Sequence, residues 1–208
     1  VGWRNGFAIA GGIGIAYSVF LWGRLKDAGG AVQQRHAVGG AVRGLVGNGR
    51  FLALVGVFSL YNAVQWVLLG WFPTYLQDRL GLSMTASGFN ATVYVQVCVL
   101  VGIVVGSVAT DRWGRRVAGV RLYVTAVGLL LSAPFTWLAF QAASLAEARV
   151  YSALFGLFGG LLAANVFAAA YDITPVETRG LTGSLLNRSG GVAAAVMIYM
   201  AGLWRETL

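Results

Sequence analysis

Arg188 is the residue with the sharpest chemistry. It follows Asn187 inside an apolar run from Leu181 to Trp204. If the helix starts near Gly180, eight residues of rise place Arg188 about 12 Å in, close to the midplane of a bilayer. A central arginine costs at least about 2.5–3.5 kcal/mol to insert, so it faces a cavity or a partner. With Asn187 beside it, its chemistry would be capture of an anionic group through charge-assisted hydrogen bonds. The plainer alternative is an arginine that snorkels along a longer loop to the membrane face.

Other polar side chains recur inside apolar runs. Tyr61, Asn62, Gln65 and Trp66 stand at i, i+1, i+4 and i+5, which puts them on one helical stripe. Asn90 and Tyr94 share a face of the next run, and Asn165 lies in a later one. Such residues line a substrate pathway or simply tie helices together, at about 0.6 kcal/mol per bond on average.

The densest charge is the turn Thr110-Asp111-Arg112-Trp113-Gly114-Arg115-Arg116 between two apolar runs. The helix before it leaves carbonyls unsatisfied, and Gly114 permits a sharp reversal. Three arginines there can meet lipid phosphate. Asp111 opposes the dipole of a helix C-terminus, so it needs an arginine of the turn or the N-terminal end of a neighbouring helix.

Enzyme chemistry is poorly served. His36 and Cys98 occur once each, in separate segments, and the seven acidic residues fall in loops or at run ends. No nucleophile–base pair, metal cluster or cofactor site follows, and one cysteine excludes an intramolecular disulfide. The absence of a mid-span carboxylate also leaves this stretch without its own proton-coupling group, so coupling to protons or sodium stays open.

The elements that hold these residues are six apolar runs, Phe7–Leu25, Phe51–Tyr75, Phe89–Ala109, Leu122–Phe140, Val150–Ala170 and Leu181–Trp204. Each approaches the about 20 residues that a helix needs to cross the hydrocarbon. All are apolar on nearly every side, unlike surface helices or the alternating strands of a barrel. Charged residues make up 11% of the chain, against about 25% in soluble domains. The reading is an all-α, multi-pass membrane protein with six transmembrane helices and the lipid bilayer as its partner. Ten basic residues fall in the loops at 24–50, 112–121 and 179, and four on the opposite side, which places the former in the cytoplasm. The net charge of +8 has this origin, and nucleic acid is excluded as a partner by the dispersal of the arginines. Gly102 and Gly106, and Gly156 and Gly160, stand four apart, as close-packed membrane helices require. Pro73 and Pro134 are expected to kink their helices.

Asp111, Arg112, Gly114, Arg115 and Arg116 resemble the Gly-x-x-x-Asp-Arg-x-Gly-Arg-Arg signature of the major facilitator superfamily, with Ser107 where the leading glycine belongs. Asp172, Pro175, Arg179 and Gly180 are similar to its Glu-x-x-Pro-x-x-x-Arg-Gly connection, with a shorter acid. Gly2-Trp3-Arg4 and Trp71-Phe72-Pro73 look like the start of its sixth helix and the outer end of its seventh in organic-anion and spinster-like branches. The resemblance implies a helical bundle, six helices seen of twelve, running from the sixth to the eleventh. Residues 1–25 would then end the N-terminal half, 26–50 form a cytoplasmic central loop without apolar period, and 51–208 hold five helices of the C-terminal half. With Val at position 1 and no leader pattern, the chain reads as a piece of something longer, its N-terminal half missing. The implied activity is movement of a small solute (organic anion, sugar or related metabolite), as a symporter or facilitator, by alternating access in a bacterial-type inner membrane. The turn at Asp111 would be a conformational lock. The competing reading is a non-transporting scaffold or sensor of the same fold.

Overall fold

The computed structural model describes residues 3–24, 38–114, 116–117 and 119–207. All regular elements among them are helical. Lys26, Arg35, His36 and Arg115, with Gly2 and Leu25, lie outside the described residues. The chain divides into two units, Val1–Arg35 and His36–Leu208. The division falls inside the 26–50 segment expected to be a loop.

The first unit holds α1 (Trp3–Arg24). Ser18 Oγ donates to the Gly14 carbonyl at 2.8 Å, so its hydroxyl is satisfied within the helix. Arg24 sits over the Phe20 ring, 5.0 Å from its centre.

The second unit begins with α2 (Val38–Val46), a helix where no apolar period was expected. Leu45 is buried in the core of this unit and anchors it. Five longer helices follow: α3 (Gly49–Leu80), α4 (Met84–Trp113), α5 (Val120–Ala139), α6 (Leu145–Asp172) and α7 (Arg179–Thr207). All but α5 overrun their apolar runs at both ends, as polar turns extend the helices past the hydrocarbon, while α5 ends at Ala139, one residue short of its run. Asn48 Oδ1 caps α3 by accepting from the Arg50 and Phe51 amides, and Gly81 closes it at φ 65°. Ser83 caps α4, while Ser144 and Glu147 cap α6 from both directions. Pro73 and Pro134 sit inside α3 and α5.

Among the described residues, α1 and α3 to α6 are long and apolar enough to cross a membrane. The sixth expected span, α7, has the length at 29 residues, but Ser184, Asn187, Arg188 and Ser189 dilute its apolar character.

Within the second unit α6 is central. It packs along α4 on one side and α5 on the other, and α3 packs chiefly along α7. Glycine makes the first contact possible. A Cβ on Gly102 would collide with the Leu157 carbonyl, and one on Gly156 or Gly160 with the carbonyls of Val95 or Val99. Gly106 lies against Leu161 and Asn165. Partners advance together along both helices, so α4 and α6 run parallel. The expected small-residue spacing is thus a backbone-to-backbone seam.

Candidate functional site

The charged turn forms one end of the bundle. Thr110 is buried and its hydroxyl donates to the carbonyls of Gly106 and Ser107, at 2.9 and 3.0 Å. The chain then leaves α4 without the reversal expected at Gly114, whose φ is −59° and ψ −24°. Gly114 answers a different demand: a Cβ there would lie 2.6 Å from the Thr110 carbonyl oxygen. The left-handed residue is Gly119, φ 74°, immediately before α5. Two glycines share the work assigned to one.

Asp111, Arg112 and Arg116 are exposed and make no ion pair among the described residues. The paired carboxylate is Asp172, at the end of α6. Arg121 Nη1 donates to its Oδ2 at 2.7 Å. Asp111, Gly114, Arg121 and Asp172 line one cleft of about 310 Å³ between the α4–α5 turn and the α6 terminus. Arg121 therefore joins the two signature segments, and its sequence position announced only another loop cation. Its pair is too exposed to add more than about 1 kcal/mol of stability; what it supplies is position.

The second segment continues the same end. Asn48 Nδ2 donates to the Ile173 carbonyl at 3.3 Å, tying the start of α3 to the end of α6. Pro175 precedes a single 3₁₀ turn, Val176–Thr178, and exposed Arg179 and Gly180 open α7. Buried Thr174 and Thr182 share a hydrogen bond at 3.3 Å and so fix α7 against the α6 terminus.

The mid-span polar residues do not form one group. Tyr61 is buried against α6, stacked on Phe155, and its ring would meet any Cβ on Gly159. Asn62 turns to α7 instead, next to Gly190, with its amide donating to the Phe58 carbonyl. Asn165 lies against Gly106 of α4, but its amide donates to the Leu161 carbonyl of its own helix at 2.9 Å, so its contact with α4 is one of packing. Gln65 is half-buried and Trp66 exposed. Asn187 and Arg188 are both exposed, and Arg188 makes no ion pair among the described residues.

Asn90 and Tyr94 do converge, on a residue read as a loop arginine. Arg149, one turn into α6, donates from Nε to Asn90 Oδ1 at 2.8 Å, and its guanidinium lies 5.3 Å from the Tyr94 ring centre. Only interhelical register could have revealed it, since Asn90 and Arg149 are far apart in sequence.

The family model of the Major Facilitator Superfamily matches residues 1–198. The "probable galactarate/D-glucarate transporter GudP" of Escherichia coli is 28% identical over 94% of this chain and 50% of its own length. Its Bacillus subtilis counterpart is 28% identical over 72% of the chain and 33% of its length. The "D-galactonate transporter" of Escherichia coli is 24% identical over 96% and 52%. The chain thus spans about half the length of the curated relatives it matches most broadly. No solved structure matches it significantly.

Proposed function

The chain belongs to the Major Facilitator Superfamily, an assignment to membrane transport and not to enzymes, and from that premise we propose that it forms the substrate-facing C-terminal half of a transporter for small sugar acids. The observation that carries the reading is the likeness, over 94% of the chain, to a protein named for galactarate and D-glucarate. Those solutes are carboxylates, and the exposed guanidinium of Arg188 within α7, which makes no ion pair among the described residues, is a matching cation. Residues 1–25 would end the first half, and 51–208 would rock against it by alternating access.

Radiolabelled uptake into proteoliposomes holding the full-length protein tests this. Galactarate, D-glucarate or D-galactonate should accumulate, and galactitol, which lacks a carboxylate, should not. Collapse of the proton or sodium gradient in turn would identify the coupling ion. Accumulation of none of the acids would end the sugar-acid reading.

The cleft at Asp111 is the proposed lock. Asp111 makes no ion pair among the described residues, and its partner in the lock would come from the half that the chain does not span. Asp111→Asn should then shift cysteine labelling toward the state open on this side, by several-fold at a reporter near Gly119. Equal labelling of wild type and variant would leave Asp111 an ordinary loop carboxylate.

A further inference from the structure

We infer that Arg149, Asn90 and Tyr94 form a second anion subsite, which receives a carboxylate of the solute at the end of the bundle opposite the Asp111 cleft. Asn90 and Asp111 are separated by about 32 Å of helical rise along α4, so the two sites cannot be one.

Three observations converge. First, the guanidinium is held rather than free. Asn90 fixes its orientation through Nε, and Tyr94 covers one face. Asn90 is itself buried, and its amide nitrogen is committed to the Ala86 carbonyl at 2.7 Å, so its oxygen is presented to Arg149. Second, the charge is not neutralised. Arg149 makes no ion pair among the described residues, and the acid two residues away, Glu147, stands about 200° round the helix and accepts from the Ala143 amide. Third, the donors left over suit a carboxylate. With Nε occupied, the two terminal nitrogens have no partner among the described residues, and the side chain is only half-buried. A planar fork with two parallel N–H groups matches a carboxylate bidentately. An arginine meant only to join α4 to α6 would need the Asn90 bond alone.

The subsite rests on the sugar-acid reading above and gives it a second cation, at a different depth from Arg188. A solute entering from that end would meet Arg149 first. The site would therefore govern capture more than the turnover of bound solute.

The test uses the full-length protein in an uncharged detergent, with galactarate as the probe. Wild type should gain thermal stability with galactarate. Arg149→Gln should need at least about tenfold more galactarate for half the gain, and in proteoliposomes should raise the half-saturation concentration with little change in maximal rate. Arg149→Lys should recover part of the affinity and Asn90→Ala lose part of it, because the fork is then unoriented. Unchanged galactarate affinity in Arg149→Gln overturns the subsite and leaves an interhelical tie. If affinity persists while stabilisation by added anionic lipid is lost, the guanidinium holds a lipid phosphate and the inference is again overturned. Should Arg149→Gln not fold, Arg149→Lys with wild-type affinity and Asn90→Ala with wild-type affinity would together reject it. Failure of wild type to respond to any sugar acid would instead reject the function, before the variants are compared.

Discussion

Gly102→Ala is expected to destabilise the bundle severely, while Gly88→Ala, in the same helix, leaves it intact. The added methyl at Gly102 would collide with the Leu157 carbonyl and sit 2.9 Å from the Gly160 Cα. Both obstacles are backbone, so no rotamer change relieves them and the helices must separate. Overpacking a core ordinarily costs about 1–3 kcal/mol, and a rigid seam belongs at the upper end or beyond. Separation would be felt along the whole pair, since Gly106 against Asn165 and Val95 against Gly156 depend on the same spacing. It would also pull Asn90 from Arg149, whose bond is 2.8 Å long. At Gly88 an added Cβ meets nothing within 4 Å. Thermal unfolding of the full-length protein in detergent decides it. Gly102→Ala should fall by many degrees and Gly102→Leu should fail to accumulate, with Gly88→Ala near wild type. Similar behaviour of Gly102→Ala and Gly88→Ala would mean that the seam is looser than its geometry.

What was legible in the sequence is what a bilayer imposes on any chain. Hydrocarbon demands about 20 apolar residues per crossing, so the runs were visible, and Gly102/Gly106 with Gly156/Gly160 marked the close contact. What escaped depends on relations between segments. The apolar run ending at Tyr75 was visible, but α3 continues to Leu80 because Gln77, Asp78 and Arg79 are helical outside the apolar stretch. Helix α2 was missed although Val38, Val42, Leu45 and Val46 are spaced as one helical face, because it has only nine residues and three of them, Gly39, Gly40 and Gly44, are poor helix formers. Arg121 and Arg149 looked like loop cations; one pairs with Asp172 and the other with Asn90, across distances in sequence that no spacing rule connects. The departure at Ser107 also resolves in three dimensions. Gly106, one residue earlier, is the position against Leu161, where a Cβ would lie 3.1 Å from the Cα.

The second large effect is expected at Arg188. Leu186 and Gly190 are buried, with Gly190 against Phe58 and Asn62 of α3. At 3.6 residues per turn, Arg188 stands about 200° on from Leu186 and about 160° from Gly190, so it faces away from α3. Ser184, Gly191 and Ala195 are exposed on the same side, and all are small. On one flank these small neighbours leave room beside the guanidinium for a solute, while Val192, one turn on, is exposed on the other. The insertion cost of a central arginine favours a cavity over lipid on that face. Arg188→Gln removes a charge-assisted bond worth about 1.5–3 kcal/mol, which corresponds to roughly a 10- to 100-fold rise in half-saturation concentration for a sugar acid. Arg188→Lys should recover only part, since an ammonium cannot grip a carboxylate with two parallel bonds. Stability separates this role from a structural one. A neutral glutamine is cheaper to hold in the membrane, so thermal unfolding without solute should be unchanged or slightly raised in Arg188→Gln. Weaker solute affinity in a protein at least as stable as wild type places Arg188 in the site. Unchanged affinity would remove it, and lower stability with unchanged affinity would make it a structural tie between helices.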